Sequence, residues 1–273
     1  MYSFLMIGAH PDDMDLRCGG LAMHLHARGH KVVFLSMTNG NAGHMSMDKA
    51  ALRERRLHEM EEAARCYGGF RYETLDVDDG YLTADIPTRE KLLRYIRREA
   101  PDVIITHRTC DYHPDHRACG QLVEDCSYLV GVPLICPDTP ALRKQPAILF
   151  CEDRFTQPSP FRPDLCVPTD DVIEEKVAGV LCHRSQFNEW LPWDGHWEDV
   201  LDKPEEEAAA ALRERQLARC HYTVARFPDR FPEGTRYGEA FQFDEQGASL
   251  TDELQLEMTG RLMWHPDGME KYD

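Results

Sequence analysis

Apolar and polar positions along the first half of the chain follow two alternating rhythms. Short, mostly apolar runs occur at 2–8, 31–37, 102–106 and 146–151, with a more mixed one at 72–77. They read as strands. Between them lie stretches with apolar residues at helical spacing. The first covers 19–28 and closes on Gly29 as a C-cap. The second covers 50–66, with Leu52, Leu57, Met60 and Ala64 on one side and a stop at Gly68-Gly69. A third opens at Pro87 and carries Leu92, Leu93 and Ile96, and a fourth spans 116–129. Strands alternating with helices predict a doubly wound, mainly parallel α/β sheet flanked by helices, of the Rossmann-like kind.

The second half is less regular. Proline-rich connections cover 133–146 and 157–168, and a helix is expected at 170–184. Three of the four tryptophans fall within 188–197, and a charged, alanine-rich helix is expected at 203–219. No repeat, low-complexity tract or clear linker divides the chain. The expectation is one α/β domain over 1–273 with an irregular C-terminal elaboration from about 188.

Composition narrows the function. With 273 residues, 42% of them hydrophobic, the chain can bury one sizeable core, or one core plus a small appendage. Its 48 acidic and 31 basic residues give a net charge of −17. That speaks against nucleic-acid or anionic-membrane partners, which call for basic surfaces, and leaves a small molecule as the expected partner and a homo-oligomer open. The N-terminus has no basic start and no cleavage site, and nothing approaches the roughly 20 apolar residues of a membrane span. The ten cysteines are scattered without a Cys-x-x-Cys pair and read as buried small hydrophobes in a reducing compartment, so a cytoplasmic protein is expected.

In sheets of this kind ligands bind beyond the carboxyl ends of the strands. Two polar clusters fall there: His10-Pro11-Asp12-Asp13 after the first strand, and His113-Pro114-Asp115-His116 after 102–106. Alone, the first reads as a turn whose aspartate caps the next helix. Opposite two more imidazoles it reads differently. His10, Asp13 and His116 offer a mixed imidazole and carboxylate set for zinc, with a fourth position open to water. Asp12 stands ready to take a proton from that water, and Asp115 to hold His113 in one tautomer. A competing structural site, Cys110, His113, His116 and Cys119, would pack four ligands within ten residues, too short a loop for a tetrahedron. A phosphate-binding turn is opposed by the two carboxylates and the lack of glycines.

These motifs resemble the LmbE-like, or PIG-L-like, family of zinc-dependent N-deacetylases. Ala9–Asp13 is similar to the family's Ala-His-Pro-Asp-Asp turn, and His113–His116 to its His-x-Asp-His motif. Weaker similarities are Thr38-Asn39-Gly40-Asn41-Ala42-Gly43, Arg56-x-x-Glu59, Asp79-Gly80, His183-Arg184-Ser185-Gln186 and Tyr237-Gly238-Glu239-Ala240-Phe241. Many members have Glu directly after the paired aspartates, where this chain has Met14 followed by Asp15.

The resemblance implies one zinc per chain, other divalent metals remaining open, held by His10, Asp13 and His116. It implies Asp12 as general base and a protonated His113 stabilising the oxyanion. The reaction implied is removal of an N-acetyl group from an amino sugar or N-acetylglucosaminyl conjugate. An amidase acting on another N-acyl small molecule and a non-catalytic zinc-binding α/β protein are the alternatives. Arg56, Asp79 and His183 are the substrate-side candidates, weighed against a salt bridge to Glu59, a plain turn and a core histidine respectively. His44 is a candidate lid residue, and Trp190, Trp193 and Trp197 read as packing or an interface more than as a sugar platform.

Overall fold

The computed structural model describes residues 1–260; the end of the expected C-terminal elaboration, 261–273, lies outside the described residues. The first half forms β1 (Ser3–Gly8), α1 (Asp13–Ala27), β2 (Lys31–Thr38), α2 (Lys49–Cys66), β3 (Arg71–Val77), α3 (Ile86–Glu99), β4 (Val103–Thr106), α4 (Pro114–Leu129) and β5 (Ala147–Cys151). There follow β6 (Leu165–Pro168), α5 (Ile173–Val180), a π-helical turn at Ser185–Trp190, α6 (Leu191–Asp194), α7 (Glu198–Leu201), α8 (Glu205–Arg226), β7 (Gly238–Phe243) and α9 (Asp252–Thr259).

The strands form one sheet in the order β3-β2-β1-β4-β5-β7-β6, parallel except for β7, which runs antiparallel to both neighbours. This is the expected α/β architecture. The apolar run of β1 has its cause in two buried faces. Phe4 and Met6 pack with Leu21 and Leu25 of α1 and with Ala63 and Tyr67 of α2. Leu5 and Ile7 face the opposite way, onto Leu92, Leu93 and Ile96 of α3 and Leu122 and Val123 of α4. Two buried faces leave no polar position in the strand. The strand order reverses between β1 and β4, so the turns after these two strands open onto a common crevice.

Three elements differ from expectation. Helix α1 begins at Asp13, not 19, and breaks at Cys18 (φ −144°, ψ 17°). Just past the break, Gly20 and Leu21 donate their N–H groups to the Glu239 carboxylate of β7, at 2.7 and 2.9 Å. Lys176 of α5 completes the contact at 2.7 Å. The helix expected at 170–184 ends at Val180, and the one expected at 203–219 runs on to Arg226. The region expected as an elaboration returns to the sheet as β7. Among the described residues no helix is long and apolar enough to cross a membrane.

Candidate metal centre

The turn after β1 is tight. His10 N–H donates to Asp13 Oδ2 at 2.7 Å, and Asp13 N–H donates back to His10 O at 3.3 Å. Gly8 permits the closure, since a Cβ there would lie 2.8 Å from Asp13 Cβ. Asp12 sits at φ 116°, a region that non-glycine residues occupy only when their surroundings force it. Those surroundings are specific. Tyr72 Oη accepts the Asp12 N–H at 2.9 Å and donates to Asp15 Oδ2 at 2.7 Å. Arg56 Nη2 donates to Pro11 O at 2.8 Å and reaches Asp12 Oδ2 at 3.3 Å.

The turn after β4 is built locally. His113 is the N-cap of α4, its Nδ1 accepting the Asp115 N–H at 3.2 Å, with Pro114 in the first turn. Asp111 Oδ1 accepts the His113 N–H at 2.9 Å and lies 3.1 Å from His116 Nδ1.

Across the crevice His10 Nδ1 is 3.2 Å from His116 Nε2 and 3.5 Å from Asp13 Oδ2, and His116 Nε2 is 3.4 Å from Asp13 Oδ1. Four ligands at zinc–ligand distances of about 2.0–2.1 Å in a tetrahedron stand about 3.3–3.4 Å apart. The His10–His116 approach falls near that spacing, whereas the two imidazoles meet different oxygens of Asp13. Three trios among the described residues have potential ligand atoms within 4.8 Å of one another, two of them being Asp13, His107 and His116, and His10, Asp79 and Asp115. In the first of these, His107 Nε2 already accepts the Ala9 N–H at 3.2 Å. In the second, Asp79 and Asp115 approach His10 at its far nitrogen, Nε2, at 3.2 and 3.3 Å. A third trio, His10, His113 and His116, contains the N-cap histidine. Asp79 and Asp115 lie against the His10 imidazole, and Asp111 against that of His116.

The titrations follow from this crowding. Burial opposes a charge on His10, but Asp115, Asp13 and Asp79 outweigh it and hold the imidazole well above its usual range. Burial likewise opposes a charge on Asp13, and His116 and His107 outweigh it, holding the carboxyl well below its usual range. His116 is raised to about 9, burial being overcome by Asp13 and Asp111. Burial raises Asp12, against the pull of Arg56. Burial, then repulsion from His10 and His116, lowers His113.

The structure redistributes several expected roles. Asp115 does not reach His113 with its carboxylate; that group accepts the Gly80 N–H at 2.7 Å and faces His10, leaving only the backbone N–H for His113. His113 is pushed towards the neutral form, away from the expected cation, by burial first and then by the two imidazoles beside it. His183 cannot touch a substrate: it is fully buried and bonds Asp15 at 3.1 Å, behind the Tyr72 bridge. Asp79 serves His10, its N–H held by Asn41 Oδ1 at 3.0 Å. Arg56 is buried against Asp12 and Gln186, and the ion pair with Glu59 belongs to Arg55.

Met14 is core, and Asp15 is the fully buried acid at this turn. Cys119 lies under the sheet against Thr106 and Ile7 O, away from the centre. His44 bonds Glu189 at 2.9 Å, as does Arg55, pinning the 40–48 loop to the tryptophan-bearing segment. There Trp190 and Trp193 stack with centroids 5.4 Å apart, while Trp197 packs under Arg215.

Sequence reasoning missed His107, Tyr72 and Asp111. His107 stacks on His116 with centroids 4.3 Å apart and lies 3.1 Å from Asp13 Oδ2. Its position immediately after β4 is the one signal that marks it.

Comparison with known proteins supports the family resemblance. A family model described as "PIG-L: GlcNAc-PI de-N-acetylase" matches residues 5–127. The diacetylchitobiose deacetylase of Thermococcus kodakarensis is 30% identical over 70% of this chain and 73% of its own length. The 4-oxalmesaconate hydratase of Pseudomonas putida is 26% identical over 69% of this chain and 75% of its own. Among solved structures, the N,N'-diacetylchitobiose deacetylase of Pyrococcus horikoshii superposes with a TM-score of 0.72 at 23% identity, covering 90% of this chain and 84% of that one.

Proposed function

The chain belongs to the PIG-L, or LmbE-like, family of deacetylases, hydrolases that cleave an amide bond, and we propose that it removes the N-acetyl group of an amino sugar or an N-acetylglucosaminyl conjugate, using one zinc ion. The observation that carries this reading is the convergence of His10, Asp13 and His116 across the crevice, beside the buried Asp12.

Bound zinc supplies an acidified water and a pull on the acyl oxygen. The chain's residues do the rest. Asp12 takes the proton from the attacking water; burial raises its pKa and so its strength as a base, and Arg56 opposes that rise. His113 spends Nδ1 on the Asp115 N–H, so in the neutral ring Nε2 carries the hydrogen and donates it to the acyl oxygen as charge builds there. The proton held by Asp12 then passes to the departing nitrogen, giving acetate and a free amine. Ten free thiols and the absence of a spanning helix among the described residues suit the cytoplasm as the place of action.

Zinc content by mass spectrometry and acetate release from N-acetylglucosamine and N,N'-diacetylchitobiose test this. The expected result is about one zinc in the folded wild type, little in His116→Ala, and acetate released only by the former. Equal metal in both, or none in either, removes the shared site. The hydratase relative favours a second reading, water addition to a carbon–carbon double bond by the same residues. Metal without acetate, together with loss of a conjugated diene's ultraviolet absorbance, would select it.

A further inference from the structure

We infer that the cleft between α1, α8 and the turn after β5 is a subsite for an oxyanion carried by the substrate, so that the N-acyl compound handled here bears a carboxylate or phosphate. This deepens the deacetylase reading and rests on it. The cleft encloses a cavity of about 40 Å³, and Arg17, Arg154 and Arg219 all line it.

The charges in the cleft do not balance. Three carboxylates also line it, and each is already engaged. Glu152 pairs with Arg226 at 3.0 Å and accepts the Thr223 hydroxyl at 2.5 Å. Asp153 holds Arg108 through two bonds of 2.6 and 2.8 Å. Glu239 holds Lys176 and two N–H groups of α1. Arg17, Arg154 and Arg219 are left without a carboxylate partner among the described residues, in a protein with a net charge of −17. Arg17 is held in place by donating to Glu152 O at 2.6 Å, which leaves its charge uncancelled. Arg154 lies over the Tyr222 ring at 4.1 Å. Arg219 is exposed by surface area, yet the protein crowded around it, then Arg17, lower it to about 10, so it stays charged at neutral pH. Like charges gathered without counter-charges raise the energy of the empty cleft, and an oxyanion offsets that cost.

The cleft also adjoins the chemistry. Arg17 follows Asp13 by one helical turn on α1, a spacing that puts two side chains about 5–6 Å apart at Cβ. Residues 152–154 follow β5, which pairs with β4, so they share the sheet edge that carries the metal ligands. Arg17 is among the charges acting on His107, and Asp12 among those acting on Arg219.

The test compares N-acetylglucosamine with its 1- and 6-phosphates and with N-acetylmuramate, on the zinc-loaded protein. At least one charged substrate should show kcat/KM about tenfold or more above the neutral sugar, with the advantage shrinking as salt rises. Phosphate esters preferred over N-acetylmuramate would name the group as phosphate, and the reverse as carboxylate. The preference should collapse in Arg17→Gln/Arg219→Gln and persist in Arg213→Gln, whose arginine serves a surface pair with Glu174. Neutral and charged sugars turned over alike would overturn the subsite and leave the deacetylase standing. If nothing is turned over, calorimetry with inorganic phosphate decides. Binding weakened in the double variant but not in Arg213→Gln keeps the subsite without the reaction; equal binding in all three, or none, removes it.

Discussion

The turns after β1 and β4 face each other across one crevice, but they are held in opposite ways. The β4 turn supports itself: Asp111, the His113 cap and Pro114 all lie within a few residues of His116. The β1 turn is supported from far along the chain. Asp12, at φ 116°, depends on Tyr72 of β3 and Arg56 of α2, and through Asp15 on His183 beyond α5. Local chemistry suffices for a relaxed cap, whereas a strained residue needs distant contacts that over-determine it. The strain falls on the proposed base and not on a metal ligand, which suggests what it secures: the direction of one carboxylate.

Several changes would break or sharpen that contrast. The largest effect is expected for Asp12→Ala, with zinc retained and turnover reduced about 10²–10⁴-fold; normal turnover would take the base role from Asp12. His113→Asn comes next, since asparagine caps a helix as well as the imidazole does. It should leave stability within about 0.5 kcal/mol by denaturant melt and lower kcat about 10²–10³-fold. A large loss of zinc would instead make His113 a ligand. Tyr72→Phe removes the bridge between Asp12 N–H and Asp15, and should cost about 1–3 kcal/mol of stability and roughly tenfold or more in kcat. If it melts and turns over like the wild type, the remote support of the β1 turn is not needed.

The smallest effect concerns pH. Burial raises Asp12 and Arg56 counters it, so Arg56→Gln lets the pKa rise further. The base works ionised, so the fall of kcat/KM on the acid side should move to higher pH. A limb that stays put, or moves to lower pH, would uncouple Arg56 from Asp12.

The same contrast explains what the sequence discloses. The strands were legible as mostly apolar runs, β3 as a more mixed one. The two candidate motifs stood out because both are compact: a histidine and an aspartate three residues apart, and two histidines flanking an aspartate. What was hidden is what closes at long range. Tyr72 reads as an ordinary strand aromatic until its hydroxyl is seen between Asp12 and Asp15. His107 has no motif partner nearby. Asp115 was assigned to His113 because they are neighbours in sequence, yet folding turns its carboxylate onto His10 of another strand. His183 looked accessible as part of a motif, and burial gives it a purely supporting position.

Strand β7 has a consequence for synthesis on the ribosome. The strands carrying the metal ligands emerge early, and α4 is finished by Leu129. Yet the β5 edge stays bare until Gly238–Phe243 appears, and β6, which pairs only with β7, waits with it. Until then the N–H groups of Gly20 and Leu21, made among the first, also lack the Glu239 carboxylate. A nascent chain would thus display a nearly complete centre beside an open sheet edge, the kind of edge that pairs with other chains. A release before residue 238 would leave that edge bare and the first helix unfastened at its break.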